Sequence, residues 1–316
     1  MRASVTVRVP GSTSNLGAGF DCVGVAVERW LRVTARRPAR GPGSPPKEAG
    51  NPVTMERRGT LSALQTPPEQ DLVYRGFVTA CAAARQEVPP VLLLTAESDI
   101  PVARGLGSSA AAVVAGAAAA TALLGLGLGK DALAALCAGL EGHPDNVAPA
   151  IYGGANLVLR EPDGSRLSVT PLPLHESLAL VFAIPDFTVE TKRARAVLPE
   201  TVPHARAVEA AARSAALVHG LAHAEPRLLA AGLDDVLHVP YRRSLVPGYD
   251  AVVSAARAAG AFGATLSSSG PTILAVARAG RAAEIGAAMA RAWKKDVGME
   301  VETFQLRRPA GGYETD

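Results

Sequence analysis

The sequence predicts an α+β protein of two domains, and three observations carry that expectation. Its 316 residues are 48% hydrophobic, which supplies a substantial core and, at ordinary domain size, about two domains. Segments with strand alternation and segments with helical spacing mix along the chain, without the strict strand–helix–strand alternation of a doubly wound sheet. Near the middle, the glycine loop PVARGLGSSA (residues 101–110) runs into an alanine-rich stretch, Gly105 to Gly129, that carries no charged residue.

From the start of the chain, Val5, Val7 and Val9 alternate with polar residues. That is the period of a half-buried strand and not the apolar run of an export signal. Residues 10–21 bring three glycines together with Ser12, Thr13, Ser14 and Asn15. This is either a tight loop in which backbone approaches a ligand, with Asn15 and Asp21 facing a polar substrate, or an ordinary turn. An apolar run follows at 23–27 and a strand at 30–35. Residues 36–68, rich in Pro, Gly and charge, read as an exposed hairpin or a partly disordered excursion with no assigned chemistry. Helical spacing over 71–86 starts at Asp71, a possible N-cap, and a strand over 91–97 leads to the glycine loop.

The glycine loop joins two hydroxyls to a helix start, so several backbone N–H groups can converge on one anion. Gly105-x-Gly107-x-x-Ala110 also fits the relaxed dinucleotide fingerprint. That fingerprint needs a strand ending at its first glycine and an acidic residue about 20 positions on, at a second strand tip. Pro101 and Arg104 intervene before Gly105, and Asp131 falls between helices, so the dinucleotide reading fails. No Gly-Lys-Ser or Gly-Lys-Thr follows, which excludes a Walker loop. The charge-free stretch is long enough to span a bilayer, but it is mostly Ala and Gly with no aromatic belt. It reads as a helix buried in a soluble domain and ended by Gly125, Gly127 and Gly129.

A second helix at 130–140 delivers Glu141, His143, Asp145 and Asn146, shaped by Gly142, Pro144 and Pro149. Beside phosphates a carboxylate commonly holds Mg²⁺, which takes only one or two protein ligands, and Glu141 is the candidate. The alternative is a helix–turn in which Asp145 and Asn146 satisfy backbone donors. Farther on, the patterning predicts strands at 178–184, 264–266, 273–277 and 301–306, and helices at 205–222, 226–236, 249–259 and 281–292. His219 and His223 stand four apart on a helix, but Gly220 occupies the place of the metalloprotease Glu, so no zinc site is assigned.

Net charge is +3, with no long basic run, which argues against a nucleic-acid surface and leaves room for local Arg sites. Cys22, Cys81 and Cys137 are odd in number and widely spaced, the usage of a reduced cytosolic compartment.

GLGSSA behind its proline spacer resembles the second motif of the GHMP small-molecule kinases, and residues 263–272 (GATLSSSGPT) resemble their third. Within that superfamily, VPGSTSNLGAGFDCVGVAV and EGHPDNVAPAIYGGANLV are similar to the homoserine kinases, as are residues 191–199 and 239–249. The resemblance implies a two-domain GHMP-like fold, with an ATP-binding domain over 1–165 and a ferredoxin-like sandwich over 166–316. It implies phosphoryl transfer from ATP, with Mg²⁺, to the hydroxyl of L-homoserine in a cytoplasmic enzyme, often a homodimer, with no nucleic-acid or membrane partner.

Carried over by residue, the resemblance places ATP on Pro101, Arg104, Gly105, Leu106, Gly107, Ser108, Ser109 and Ala110, and the metal on Ser108 and Glu141. Substrate falls to Asn15, Asp21, His143, Arg195, Arg242, Ser269 and Gly270. An amino acid offers an amine to Asp21 and a carboxylate to Arg242, while Arg195 holds substrate or offsets phosphoryl charge. Related kinases place an aspartate where Asn146 stands. Asn146 is therefore expected to position the phosphate or hydroxyl, Arg195 to assist, and Asp21 to serve as the fallback base. One departure is visible: Ser268 occupies a position that is usually glycine, which restricts positive φ and adds a side chain near the substrate.

Overall fold

The computed structural model describes residues 2–38, 53–161 and 166–316. Valine-rich alternation builds β1 (Ser4–Asn15) and β2 (Gly19–Arg36) into one long antiparallel hairpin. The loop expected at 10–21 is mostly strand, turning only at residues 16–18, and the two segments at 23–27 and 30–35 form a single continuous strand. Register shifts at Pro10/Gly11 and Ser14/Asn15 re-aim the hairpin tip.

Part of the excursion at 36–68 is β3 (Val53–Gly59), a half-exposed edge strand parallel to β4 (Leu92–Ser98), which itself pairs with β2. Residues 39–52 of that excursion lie outside the described residues. On the other arm, β5 (Ala155–Arg160) pairs with β2 and with β6 (Leu167–Pro171).

Four helices cover this sheet: α1 (Leu72–Ala83), α2 (Ser108–Leu124), α3 (Lys130–Glu141) and α4 (Val147–Tyr152). The Asp71 carboxylate caps α1, accepting from the Val73 N–H at 2.9 Å as the pattern predicted. The alanine composition of α2 lets backbones nearly touch: a Cβ on Gly116 would sit 1.8 Å from the Val73 carbonyl oxygen of α1. Twelve α2 residues are buried, so the charge-free stretch is core, and no described helix is long and apolar enough to cross a membrane.

The second half comprises β7 (Leu178–Pro185), α5 (Thr191–Ala196), α6 (His204–His223), α7 (Pro226–Leu233), α8 (Val239–Arg242), α9 (Tyr249–Ala258), β8 (Gly263–Leu266), β9 (Ile273–Arg278), α10 (Ala282–Val297) and β10 (Val301–Leu306). Its antiparallel sheet runs β10-β7-β9-β8. Alternation on β7 is apolar on both faces: Leu178, Leu180, Phe182 and Ile184 join the core shared with the first sheet, while Ala179, Val181 and Ala183 pack in a second core with α9 and α10.

The division expected at 165/166 is not clean. β6 still belongs to the first sheet, and the chain end returns to it, β11 (Glu314–Thr315) pairing with β1 and the Ala310 N–H donating to the Ala26 carbonyl at 3.2 Å. Backbone pairing at an open sheet edge carries little side-chain signal, so neither crossing shows in the sequence pattern.

Candidate active site

A cavity of about 350 Å³ opens where the hairpin tip, the glycine loop, the 143–146 turn, α5, α8 and the third-motif loop meet. Gly105 and Gly107 have φ of 76° and 70°, and a Cβ on Gly107 would lie 2.1 Å from Ser12 Oγ. Only glycine lets the loop press onto β1 in that conformation. No side chain caps α2 at Gly107, so its first-turn N–H groups and the positive end of its dipole face the cavity. Ser108 and Ser109 line the wall. The third motif supports this loop from behind, Ser267 Oγ donating to the Gly105 carbonyl at 2.6 Å.

Asn146 is held by a closed ring of hydrogen bonds. Its Nδ2 donates to Ser14 Oγ at 2.9 Å, Ser14 Oγ donates to Ser268 Oγ at 3.1 Å, and Ser268 Oγ donates to Asn146 Oδ1 at 3.2 Å. Ser12 Oγ adds a second donor to Oδ1 at 2.9 Å. The amide oxygen is spent within the protein, so Asn146 meets a ligand only as a donor. Ser268 does adopt positive φ, 53°, and its hydroxyl closes this ring.

Asp21, also at positive φ, receives a two-pronged bond from Arg195: Nη2 to Oδ1 at 2.8 Å and Nη1 to Oδ2 at 3.1 Å. Asn15 braces the pair, its Oδ1 accepting from the Asp21 N–H at 3.0 Å. Arg242 is 2% exposed, donates through Nε to the Ala194 carbonyl at 3.0 Å, and lies over the Phe20 ring. Burial first, then the nearby Arg195 charge, lowers its pKa to about 10.

His143 Nδ1 meets Asp145 Oδ1 at 3.0 Å. Burial depresses the imidazole, but the bond and charge of Asp145 outweigh it and the pKa rises. Burial likewise opposes ionisation of Asp145, yet the His143 partner holds its pKa below the usual value. Glu141 is raised by burial, against the bond from Ser109, whose Oγ donates to Oε2 at 2.8 Å.

Most of the expected site residues line this cavity: Asn15, Asp21, Arg104, Gly105, Leu106, Gly107, Ser108, Ser109, His143, Asn146, Arg195, Arg242 and Ser269. Pro101, Ala110, Glu141 and Gly270 do not. Ala110 is wholly buried on the core side of α2, and Gly270 packs beneath the glycine loop, its carbonyl oxygen near Gly105. The hydroxyl bonded to Glu141 is that of Ser109 rather than Ser108, because Ser109 is the residue whose side chain projects toward the end of α3. Arg104 turns its Nη atoms onto the Pro185 carbonyl and Asp186, away from the loop.

Sequence reasoning missed the wall opposite, formed by Leu61, Leu64 and Thr66 from the segment given no chemistry and by Gln70 just before α1. Arg57 clamps that wall, reaching Asp71 Oδ2 through Nε at 2.9 Å and the Thr66 carbonyl through Nη2 at 2.7 Å. A Leu-x-x-Leu pair is its one local sign.

Known proteins are similar to this chain over most of its length. The GHMP kinase N-terminal domain model matches residues 71–154 and the C-terminal one residues 208–295. A homoserine kinase of Trichormus variabilis is 40% identical over 293 residues, 93% of either chain. One from Picosynechococcus is 39% identical over 292 residues, 92% of either chain. The crystal structure of homoserine kinase from Cytophaga hutchinsonii superimposes with a TM-score of 0.85 at 29% identity, covering 100% of this chain and 98% of that one. Mevalonate diphosphate decarboxylase from Staphylococcus aureus shares the fold, with a TM-score of 0.71 at 14% identity over 100% of this chain and 98% of its own. The chain belongs to the GHMP kinases and, within them, to the homoserine kinase family.

Proposed function

We propose that this chain transfers the γ-phosphoryl group of ATP to the side-chain hydroxyl of L-homoserine, giving O-phospho-L-homoserine for threonine biosynthesis. The observation that carries the reading is one cavity joining an uncapped helix N-terminus to an acid, Asp21, and two arginines, Arg195 and Arg242. Such a site meets a phosphate at one end and a zwitterion at the other.

Triphosphate oxygens accept from the N–H groups of Gly107 to Ser109, while the apolar Leu61, Leu64 and Val102 suit the nucleotide base. Mg²⁺ bound with the nucleotide would offset charge on its phosphates. The Ser108 hydroxyl on the cavity wall is placed to hold it, whereas Glu141 lies off the cavity lining with its carboxylate bonded by Ser109 and would have to exchange that bond to join. The substrate amine faces Asp21, its carboxylate Arg242, and its hydroxyl the 143–146 turn. Asn146 donates its remaining N–H to the transferring group and cannot take a proton, since its oxygen already accepts two bonds. Both oxygens of Asp21 are engaged by Arg195. A loose transition state asks for positioning and charge compensation more than for a strong base, and these residues supply both. A homodimer in the cytoplasm is part of the same proposal, checked by sedimentation and fractionation.

The test is ADP release in the presence of Mg²⁺ with homoserine, threonine, serine, mevalonate and shikimate. Turnover is expected with homoserine above the rest, with Asn146→Ala lowering kcat and Asp21→Asn raising the homoserine KM. Measurable ATP binding without turnover of any of the five would sink the assignment. Full kcat in Asn146→Ala, alongside lost chemistry but retained homoserine binding in Asp21→Asn, would exchange the two roles.

A further inference from the structure

Arg242 is almost wholly buried and, among the described residues, forms no salt bridge, so something other than a carboxylate aims it. The residue beside it is His238, 0% exposed, one helical turn earlier. Arg242 Nη1 lies 3.3 Å from His238 Nδ1, and His238 Nε2 lies 3.2 Å from the Gly17 carbonyl oxygen at the hairpin tip. A guanidinium only donates and a carbonyl only accepts. One ring form satisfies both neighbours: the neutral imidazole with its proton on Nε2.

We propose that His238 is a positioning residue, locked as the Nε2–H tautomer, which accepts from Arg242 and donates to Gly17 and so sets the guanidinium against the carboxylate of the substrate. The proposal rests on the reading of Arg242 as the carboxylate site.

The rest of the pocket around His238 is built to the same end. Asp235 Oδ2 accepts from the N–H groups of Leu237, His238 and Val239 at 3.1, 2.7 and 2.7 Å, fixing the start of α8. Phe20 stacks on the imidazole with centroids 4.8 Å apart, and the same ring lies 5.1 Å from the Arg242 guanidinium. The charged groups facing the ring are Arg242, Asp235 and, farther off, Asp21. Burial and the Arg242 charge lower the pKa of His238 against the pull of Asp235, so the ring stays neutral. A protonated ring would lose the acceptor that Arg242 uses. Through Gly17 the same ring touches the hairpin turn between Asn15 and Asp21, so one side chain bridges the residues proposed to take both ends of the amino acid.

Asn and Gln separate the two bonds. The amide of Asn places a polar atom near Nδ1 and can accept from Arg242, whereas the amide of Gln reaches the place of Nε2 and can donate to Gly17. His238→Asn is expected to keep the homoserine KM within about twofold. His238→Gln is expected to raise it about tenfold or more with little change in the ATP KM, the cost of a lost bond to a charged group. Long-range ¹⁵N–¹H spectra of the unmodified protein should show the Nε2–H tautomer throughout neutral pH, independently of any variant's folding.

A Nδ1–H or protonated ring overturns the proposal, as does an equal rise in homoserine KM in both variants, or no rise in His238→Gln. The parallel Arg242→Gln variant is expected to raise the homoserine KM. If it does and His238→Gln does not, His238 has no positioning role. If Arg242→Gln leaves that KM unchanged, the carboxylate reading falls first and this proposal with it.

Discussion

At the scale of single residues, the acid and base groups of this site are mostly committed to one another. His143 and Asp145 are one such couple, and their shifts have a direction that can be checked. The raised imidazole contributes stability that is fully present below its unfolded pKa and is lost as pH rises through the folded value. The lowered carboxyl contributes above its own unfolded pKa and is lost as pH falls through the folded value. Between those edges the pair stabilises the turn that carries Asn146. Asp145→Asn should move the His143 titration down, read from its ring-proton shifts, and an unmoved midpoint would remove Asp145 as the cause. Local motifs made part of this site legible: Gly105 to Ser109 read as an anion loop, and Asn15 and Asp21 as polar groups near a ligand. His143 and the two arginines entered as substrate residues only through the resemblance to the homoserine kinases, and the structure gathers all of them around one cavity. The ring through Ser14, Asn146 and Ser268 was not legible. Hydroxyls more than 120 positions apart give no local pattern, and the serine that looked like a misfit closes the ring.

At the scale of elements, long strongly patterned pieces were read to within a few residues, as at α1, α2, α6, β7 and β10. What escaped were short or edge pieces. β3, with the sequence VTMERRG, alternates buried and exposed side chains but carries three charges, so its composition resembles a loop. α5 and α8 are only 6 and 4 residues long, and tertiary packing rather than propensity holds them. The loop between β3 and α1 matters most, since it walls the cavity and hangs on Arg57. Arg57→Met removes charge-assisted bonds to Asp71 and Thr66 and should cost about 2 kcal/mol in denaturant unfolding. Its kinetic mark should be a raised ATP KM with the homoserine KM unchanged; an unchanged ATP KM would detach this wall from the nucleotide.

At the scale of the whole molecule, the chain end is part of the first sheet. Besides its strand pairing, the Gly154 N–H donates to the Ala310 carbonyl at 2.8 Å and the Tyr313 N–H to the Ala150 carbonyl at 3.0 Å. Both contacts fall just after the 143–146 turn. Deleting residues 310–316 should lower the melting temperature in calorimetry, at about 1 kcal/mol for each backbone bond lost, and should lower kcat as well. A truncated chain with the parental melting temperature and kcat would make the return merely decorative. The class of fold, α+β in two halves, was legible from the mixture of periods; the crossing of the boundary by β6 and β11 was not, because backbone pairing is blind to side-chain pattern.

The two-faced strand β7 has a mechanical consequence. Alternate side chains of one strand are rooted in two different cores, so the halves cannot swing apart without tearing apolar surface from one of them. Parting the halves at this strand would expose the apolar face that Leu178, Leu180, Phe182 and Ile184 share with the first sheet, so β7 acts as a rivet between them.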